Sequence, residues 1–203
     1  AELKRLGLYD NTIIIFTGDN GGLSTSEGTP TSNLPLKAGK GHLYEGGIRE
    51  PLIAFWKGHV PANTVNESVV SSVDYYPTIL DLVNVPLPKK HIIDGKSVKP
   101  SFMGAKQDRG AIFWHYPHYP NQGARPGGAI RVGDYKLIEF YDTGELELYN
   151  LKNDIGEHHN LALKEKQRAD KMAKQLKAWR KSVKAKMPTP NPAYNMKESD
   201  VNK

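Results

Sequence analysis

Two apolar runs near the start of the chain, Thr12–Thr17 (TIIIFT) and Leu52–Trp56 (LIAFW), are continuous rather than alternating. A half-exposed strand alternates with period two, so an unbroken run predicts a strand buried on both faces, as in the parallel sheet of an α/β fold. Ala1–Leu8 reads as the last turns of a helix that ends at Tyr9–Asn11, and Val69–Val73 as a short approach to a helix over Asp74–Val83. The texture changes near Pro100. Ala111–Trp114, Ala129–Val132, Tyr135–Phe140 and Leu146–Tyr149 are short apolar segments with turn signals at Gly133-Asp134 and Thr143-Gly144, which predicts an antiparallel meander. Met172, Leu176, Trp179 and Val183 then follow at helical spacing, the stripe of an amphipathic helix packed on that meander. The expected class is α/β. Residues 1–100 form part of a large mixed sheet flanked by helices, 101–187 a small antiparallel sheet with a packed helix, and 188–203 an extended tail opened by Pro188–Pro192.

Composition supports a folded chain: of 203 residues, 38% are hydrophobic and 25% charged, which is neither disordered nor fibrous. No run approaches the roughly 18 apolar residues of a membrane-spanning helix. The net charge of +6 would suggest a nucleic-acid partner if it were spread over the fold. It is not spread. Ten basic residues against Glu165 and Asp170 lie between Leu163 and Lys186, so the rest of the chain is slightly acidic. They read as the solvated face of the helix, with no nucleic acid implied, although a sulfated polysaccharide would feel the field. The chain has no cysteine, which removes disulfides, thiolate metal sites and cysteine nucleophiles.

Polar, glycine-flanked residues follow directly on the first apolar run, at Gly18-Asp19-Asn20-Gly21-Gly22. Open α/β sheets keep their sites at such strand ends. Asp19 and Asn20 offer a carboxylate and an amide carbonyl, hard donors suited to calcium or magnesium, but two donors do not fill a shell of about six to eight oxygens. Taken alone, Asp-Asn-Gly-Gly is more often a simple turn. Leu36–Pro51 alternates four glycines with Lys, His, Tyr, Glu and Arg, a shaped loop rather than a linker. Lys40, between Gly39 and Gly41, can bring its ammonium to a sulfate or phosphate while bare backbone N–H groups approach the same anion. Glu45 and Arg49 read as an ion pair pinning the loop, or as a substrate contact. His42 reads as a proton donor to a leaving group or as a structural histidine. Phe113–Gly128 joins aromatics to histidine, proline and glycine between two predicted strands; His115, His118 and Arg125 there suit a charged sugar, and a satellite core under the loop is the other reading.

Three blocks, NTIIIFTGDNGG at 11–22, KAGKGHLYEGGIREP at 37–51 and DYYPTILDL at 74–82, resemble in order and spacing the C-terminal half of the type I sulfatases of the alkaline-phosphatase-like superfamily. The later stretches GGAIRVGDYKLIEF and ELYNLKNDIGEHHNLA are similar to that family's small C-terminal subdomain. The resemblance implies that Asp19 and Asn20 complete a site for one calcium ion, with an acidic pair and a formylglycine from the N-terminal half. It also implies that Lys40 contacts the sulfate, that the formylglycine hydrate attacks sulfur, and that the enzyme works in the periplasm or outside the cell. The formylglycine motif, Cys or Ser followed by x-Pro-x-Arg, is absent from these residues. The expectation is therefore a part of a longer or complemented sulfatase acting on sulfated carbohydrate. A phosphatase or phosphodiesterase of the same superfamily and a non-catalytic glycan-binding remnant are the competing readings.

Overall fold

A computed structural model describes residues 1–25 and 28–191; most of the expected tail, from residue 192 on, lies outside the described residues. The elements run α1 (Glu2–Arg5), β1 (Ile14–Thr17), α2 (Glu45–Ile48), β2 (Leu52–Phe55), α3 (Tyr75–Leu82), α4 (Lys99–Phe102), β3 (Ile112–Tyr116), β4 (Gly127–Val132), β5 (Tyr135–Phe140), β6 (Leu146–Asn150) and α5 (Lys166–Ser182). The α/β class is as the sequence indicates. Strands β3-β4-β5-β6 form the antiparallel meander in sequence order, and β1 pairs with β2 in a separate two-stranded sheet.

That smaller sheet departs from expectation. Its strands run antiparallel, with Phe16 opposite Ile53 and Ile14 opposite Phe55. Ile15, Leu52 and Ala54 pack on Leu82, Val98 and Phe102 of the segments carrying α3 and α4. The other face is bare among the described residues, with Phe16 and Ile53 each 61% exposed. The run lacks alternation, as expected, but only one of its two apolar faces is covered here.

The meander is covered on both faces. Ile130, Leu137 and Leu148 meet Ala169, Met172 and Leu176 of α5. On the opposite face Ala129, Ile138, Phe140 and Tyr149 pack with Leu43 and Tyr44 from the glycine-rich loop. The helix stripe is corrected at one end: Val183 is 47% exposed, and the inward position is taken by Arg180, which donates to Glu139 Oε2 at 2.7 Å. One turn shifts the buried face, so a cation whose long stem packs and whose head is paired replaces the valine.

Lys136 sits on β5 with no exposed surface, on the face that meets the loop. Its ammonium lies 3.0 Å from Glu45 Oε1 and 2.8 Å from Glu157 Oε1, while Glu157 Oε2 accepts from the Glu45 backbone N–H at 2.6 Å. The expected Glu45–Arg49 pair exists at 3.4 Å, but Arg49 is half exposed and secondary. Lys37 adds a further tie, donating to the Glu157 carbonyl at 3.3 Å and standing 3.8 Å over the Tyr44 ring. Burial pushes the Glu157 carboxyl above its ordinary range, against the opposing pull of Lys136. Ions taken this far out of water are tolerated only as a mutually paired set. Lys136→Met should lower the unfolding free energy by about 3–5 kcal/mol, since it strands two buried carboxylates. Arg49→Ala should cost less than about 1 kcal/mol. Urea denaturation of both variants beside the parent checks the ordering.

Candidate functional site

Beyond Thr17, at the end of β1, the Gly18–Gly22 turn meets the loop that carries Lys40, and the two interlock backbone to backbone. The Gly21 N–H donates to the Gly47 carbonyl at 3.1 Å, and the Lys40 N–H to the Gly22 carbonyl at 3.2 Å. A Cβ on Gly21 would sit inside the carbonyl of Gly46, and one on Gly39 inside the carbonyl of Gly22. These glycines serve close approach between two loops rather than an anion. Glu45–Ile48 forms one turn of helix within the loop, a feature that two adjacent glycines hide from propensity.

The interlock places Asn20 and Lys40 on one cleft of about 330 Å³, with His42, Trp114, His115, Tyr116 and Gln122 completing its wall. Four predicted site residues thus converge: Asn20, Lys40, His42 and His115. The ring nitrogens can be assigned. His42 Nε2 lies 3.2 Å from the backbone oxygen of Gln122, which can only accept, so Nε2 carries the proton. His115 Nε2 likewise donates to the Lys186 carbonyl at 2.8 Å, leaving Nδ1 to accept from the Tyr141 hydroxyl at 2.7 Å. Both nitrogens of His115 are therefore committed, and its ring shapes the wall.

The remaining candidates lie outside that lining. Asp19 is exposed on the turn beside Asn20. His118 is exposed and meets the Tyr116 ring edge-on at 5.2 Å. Arg125 is bound to the β5–β6 turn: it donates to both Asp142 oxygens at 3.0 and 2.9 Å, to Thr143 at 2.6 Å and to Glu145 at 3.1 Å, and its guanidinium stands 4.3 Å over Phe140. The Arg125 guanidinium holds the Asp142 carboxyl below its usual range.

Two residues carried no assigned role in the sequence. Gln122 is buried in the aromatic loop; its carbonyl accepts from His42 and from Thr25 Oγ1 at 3.0 Å. Glu50 lies under Gly18, whose missing side chain gives it room. Burial raises its carboxyl pKa, and the Asp19 charge adds to the rise. Glu50 Oε1 is buried with no hydrogen-bond partner. A buried orphan oxygen beside a second carboxylate makes this strand end a place of uncompensated negative charge, which suits a cation. Among the described residues no cluster of three or more His, Cys, Asp or Glu is arranged to hold a metal. Asp19 and Asn20 therefore fit calcium as a partial set of hard oxygen donors.

The sequence profile described as N-sulphoglucosamine sulphohydrolase, C-terminal, matches residues 38–186. The chain belongs to this sulfatase family. It is 38% identical over 192 residues to a sulfatase of Formosa agariphila and 35% identical over 179 residues to human arylsulfatase A, covering 87% and 77% of this chain. In both cases it spans 34% of the relative, about a third of its length. Among solved structures, Ps i-CgsB in complex with k-i-k-neocarrahexaose superposes with a TM-score of 0.77 at 28% identity, over 98% of this chain and 42% of that one. BT4656 in complex with its substrate D-glucosamine-2-N,6-O-disulfate gives 0.71 at 30%, over 90% and 36%. The sulphohydrolase profile begins at Ala38, so it takes in Lys40 and the meander, while the Asp19–Asn20 turn precedes it.

Within this sulfatase chain Gly21→Ala should force the two loops apart, costing about 1–3 kcal/mol of stability. Thermal unfolding checks the loss, and a melting temperature equal to the parent's would contradict the interlock. Because the folded Asp142 carboxyl is held low, its contribution to stability is present above the ordinary aspartate value of about 3.9 and lost as the pH falls through the depressed folded value. Arg125→Ala should flatten that acid limb, read from unfolding midpoints across a pH series.

Proposed function

We propose that this chain supplies the sulfate-facing lysine and part of a calcium site in a sulfatase that removes sulfate from carbohydrate. The observation that carries the reading is the joining of Asn20 and Lys40 in one cleft by the glycine interlock. Lys40 stands where an ammonium offsets negative charge on sulfate oxygens, and charge stabilisation is the main demand of ester cleavage at sulfur. Asp19 and Asn20 would hold the calcium ion with ligands from outside this chain; when bound, the ion adds positive charge beside the sulfate. His42, its Nε2–H held by the Gln122 carbonyl, would protonate a leaving alcohol from Nδ1 in its imidazolium form. Trp114 and Tyr116 offer flat faces to a sugar ring, His115 fixes the wall, and His118 on the Tyr116 edge extends it. Arg125 acts as a positioning residue, anchoring the end of the loop that carries Gln122 to the β5–β6 turn.

The nucleophile, a formylglycine in this reading, comes from the part of the relatives that this chain does not span. That part also has a place to dock. The bare β1–β2 face with Phe16 and Ile53 is apolar and unpaired, as expected where a larger sheet continues under neighbouring layers. A carbohydrate substrate is supported by the sugar complexes of the two similar structures, and a periplasmic or extracellular setting follows the family expectation.

The reading predicts about one calcium per full-length protein and its loss in Asp19→Ala, measured by metal analysis. Lys40→Ala should lower kcat on a sulfated sugar by roughly 10²–10³ while leaving the melting temperature unchanged, because Lys40 is exposed. Two zinc ions per protein, or an unchanged kcat, would contradict it.

A further inference from the structure

The excess positive charge occupies one surface. Of the ten basic residues from Lys164 to Lys186, nine are exposed and only Arg180 turns inward. Ala169, Met172 and Leu176 face the meander and so fix the rotation of α5. The opposite face presents Lys171, Lys174, Lys177 and Lys181, a row about 15 Å long at helical rise. Of the segment's two acids, Asp170 lies at the N-terminal end of this face and pairs with Lys166 at 2.7 Å, and Glu165 pairs with Arg168 at 2.6 Å. The four lysines have no ion pair among the described residues. Like charges three and four residues apart on one helix face repel, a cost that a bound polyanion would relieve.

Position gives the row a direction. Past the helix, Lys184 and Lys186 continue the exposed cations, and the Lys186 carbonyl accepts the proton of His115, a wall residue of the Lys40 cleft. The basic surface therefore ends against the cleft. We propose that the lysine face binds the anionic polysaccharide chain that extends beyond the sugar held in the cleft. This inference rests on the reading of the cleft as a site for sulfated carbohydrate. Ammonium groups on flexible stems suit it, since they meet successive sulfate or carboxylate groups as point charges without demanding one register. Binding of this kind is exposed and so strongly salt-dependent.

The test uses the full-length protein and fluorescently labelled dextran sulfate, titrated at about 0.05 and about 0.2 M salt. The charge-reversed K171E/K174E/K177E/K181E protein should bind at least about tenfold more weakly at low salt and show a flatter salt dependence. The matching quadruple arginine variant should keep the parent's affinity. Hydrolysis of 4-nitrophenyl sulfate, too small to reach the helix, should be equal in all three. Unchanged dextran sulfate affinity on charge reversal would overturn the proposal. So would tighter binding of duplex DNA than of dextran sulfate by the parent, which would assign the face to nucleic acid. A parent that hydrolyses no sulfate ester sinks the sulfatase reading itself, an outcome distinct from either.

Discussion

An ammonium group with no exposed surface, on Lys136, lies between the carboxylates of Glu45 and Glu157, and the position of the cleft follows from that arrangement. None of the three ions is tolerable alone at that depth, so the glycine-rich loop must dock on the meander for any of them to be buried. Docking fixes Glu45 at the head of α2. The next two residues, Gly46 and Gly47, are the ones against which Gly21 packs. Through them the turn after β1 is held, and Asn20 comes to stand beside Lys40. A charge network remote from the chemistry thus sets its geometry, with glycines transmitting the fit because they leave no side chain in the way.

The elements legible in the sequence are those whose signal is local. The meander followed from short apolar segments and turn residues, and the helix from its stripe, with strand bounds displaced by a residue or two. The pairing of β1 with β2 was hidden because a continuous apolar run does not tell parallel from antiparallel. Its bare face was hidden too, since burial depends on what lies against it. Arg180 reads as a solvated cation in the sequence because its partner, Glu139, lies on another element.

The site was legible by type and by spacing more than by contact. Lys40 and Asn20 stand out in the sequence by their flanking glycines, whose further role in close packing between two loops is not legible there. Lys136 and Glu157 carried no signal: a lysine in an alternating strand reads as outward-facing, and its partners are 91 and 21 positions away along the chain. The histidines divided once their partners were known. Among the described residues His115 has both nitrogens engaged, whereas His42 is held through Nε2 alone. Arg125, chemically suited to a charged sugar, is bound instead to two carboxylates.

In the proposed reading, Lys40 and Asn20 on one cleft, with Asp19 beside them on the turn, would separate a sulfatase from a phosphatase of the same superfamily, in which a second metal ion would take the place of the lysine charge. The direct measurement is kcat/KM of the full-length protein on a matched sulfate and phosphate monoester of the same alcohol. The account predicts a preference for the sulfate ester by orders of magnitude. Equal turnover of the two, or a preference for phosphate, would contradict it.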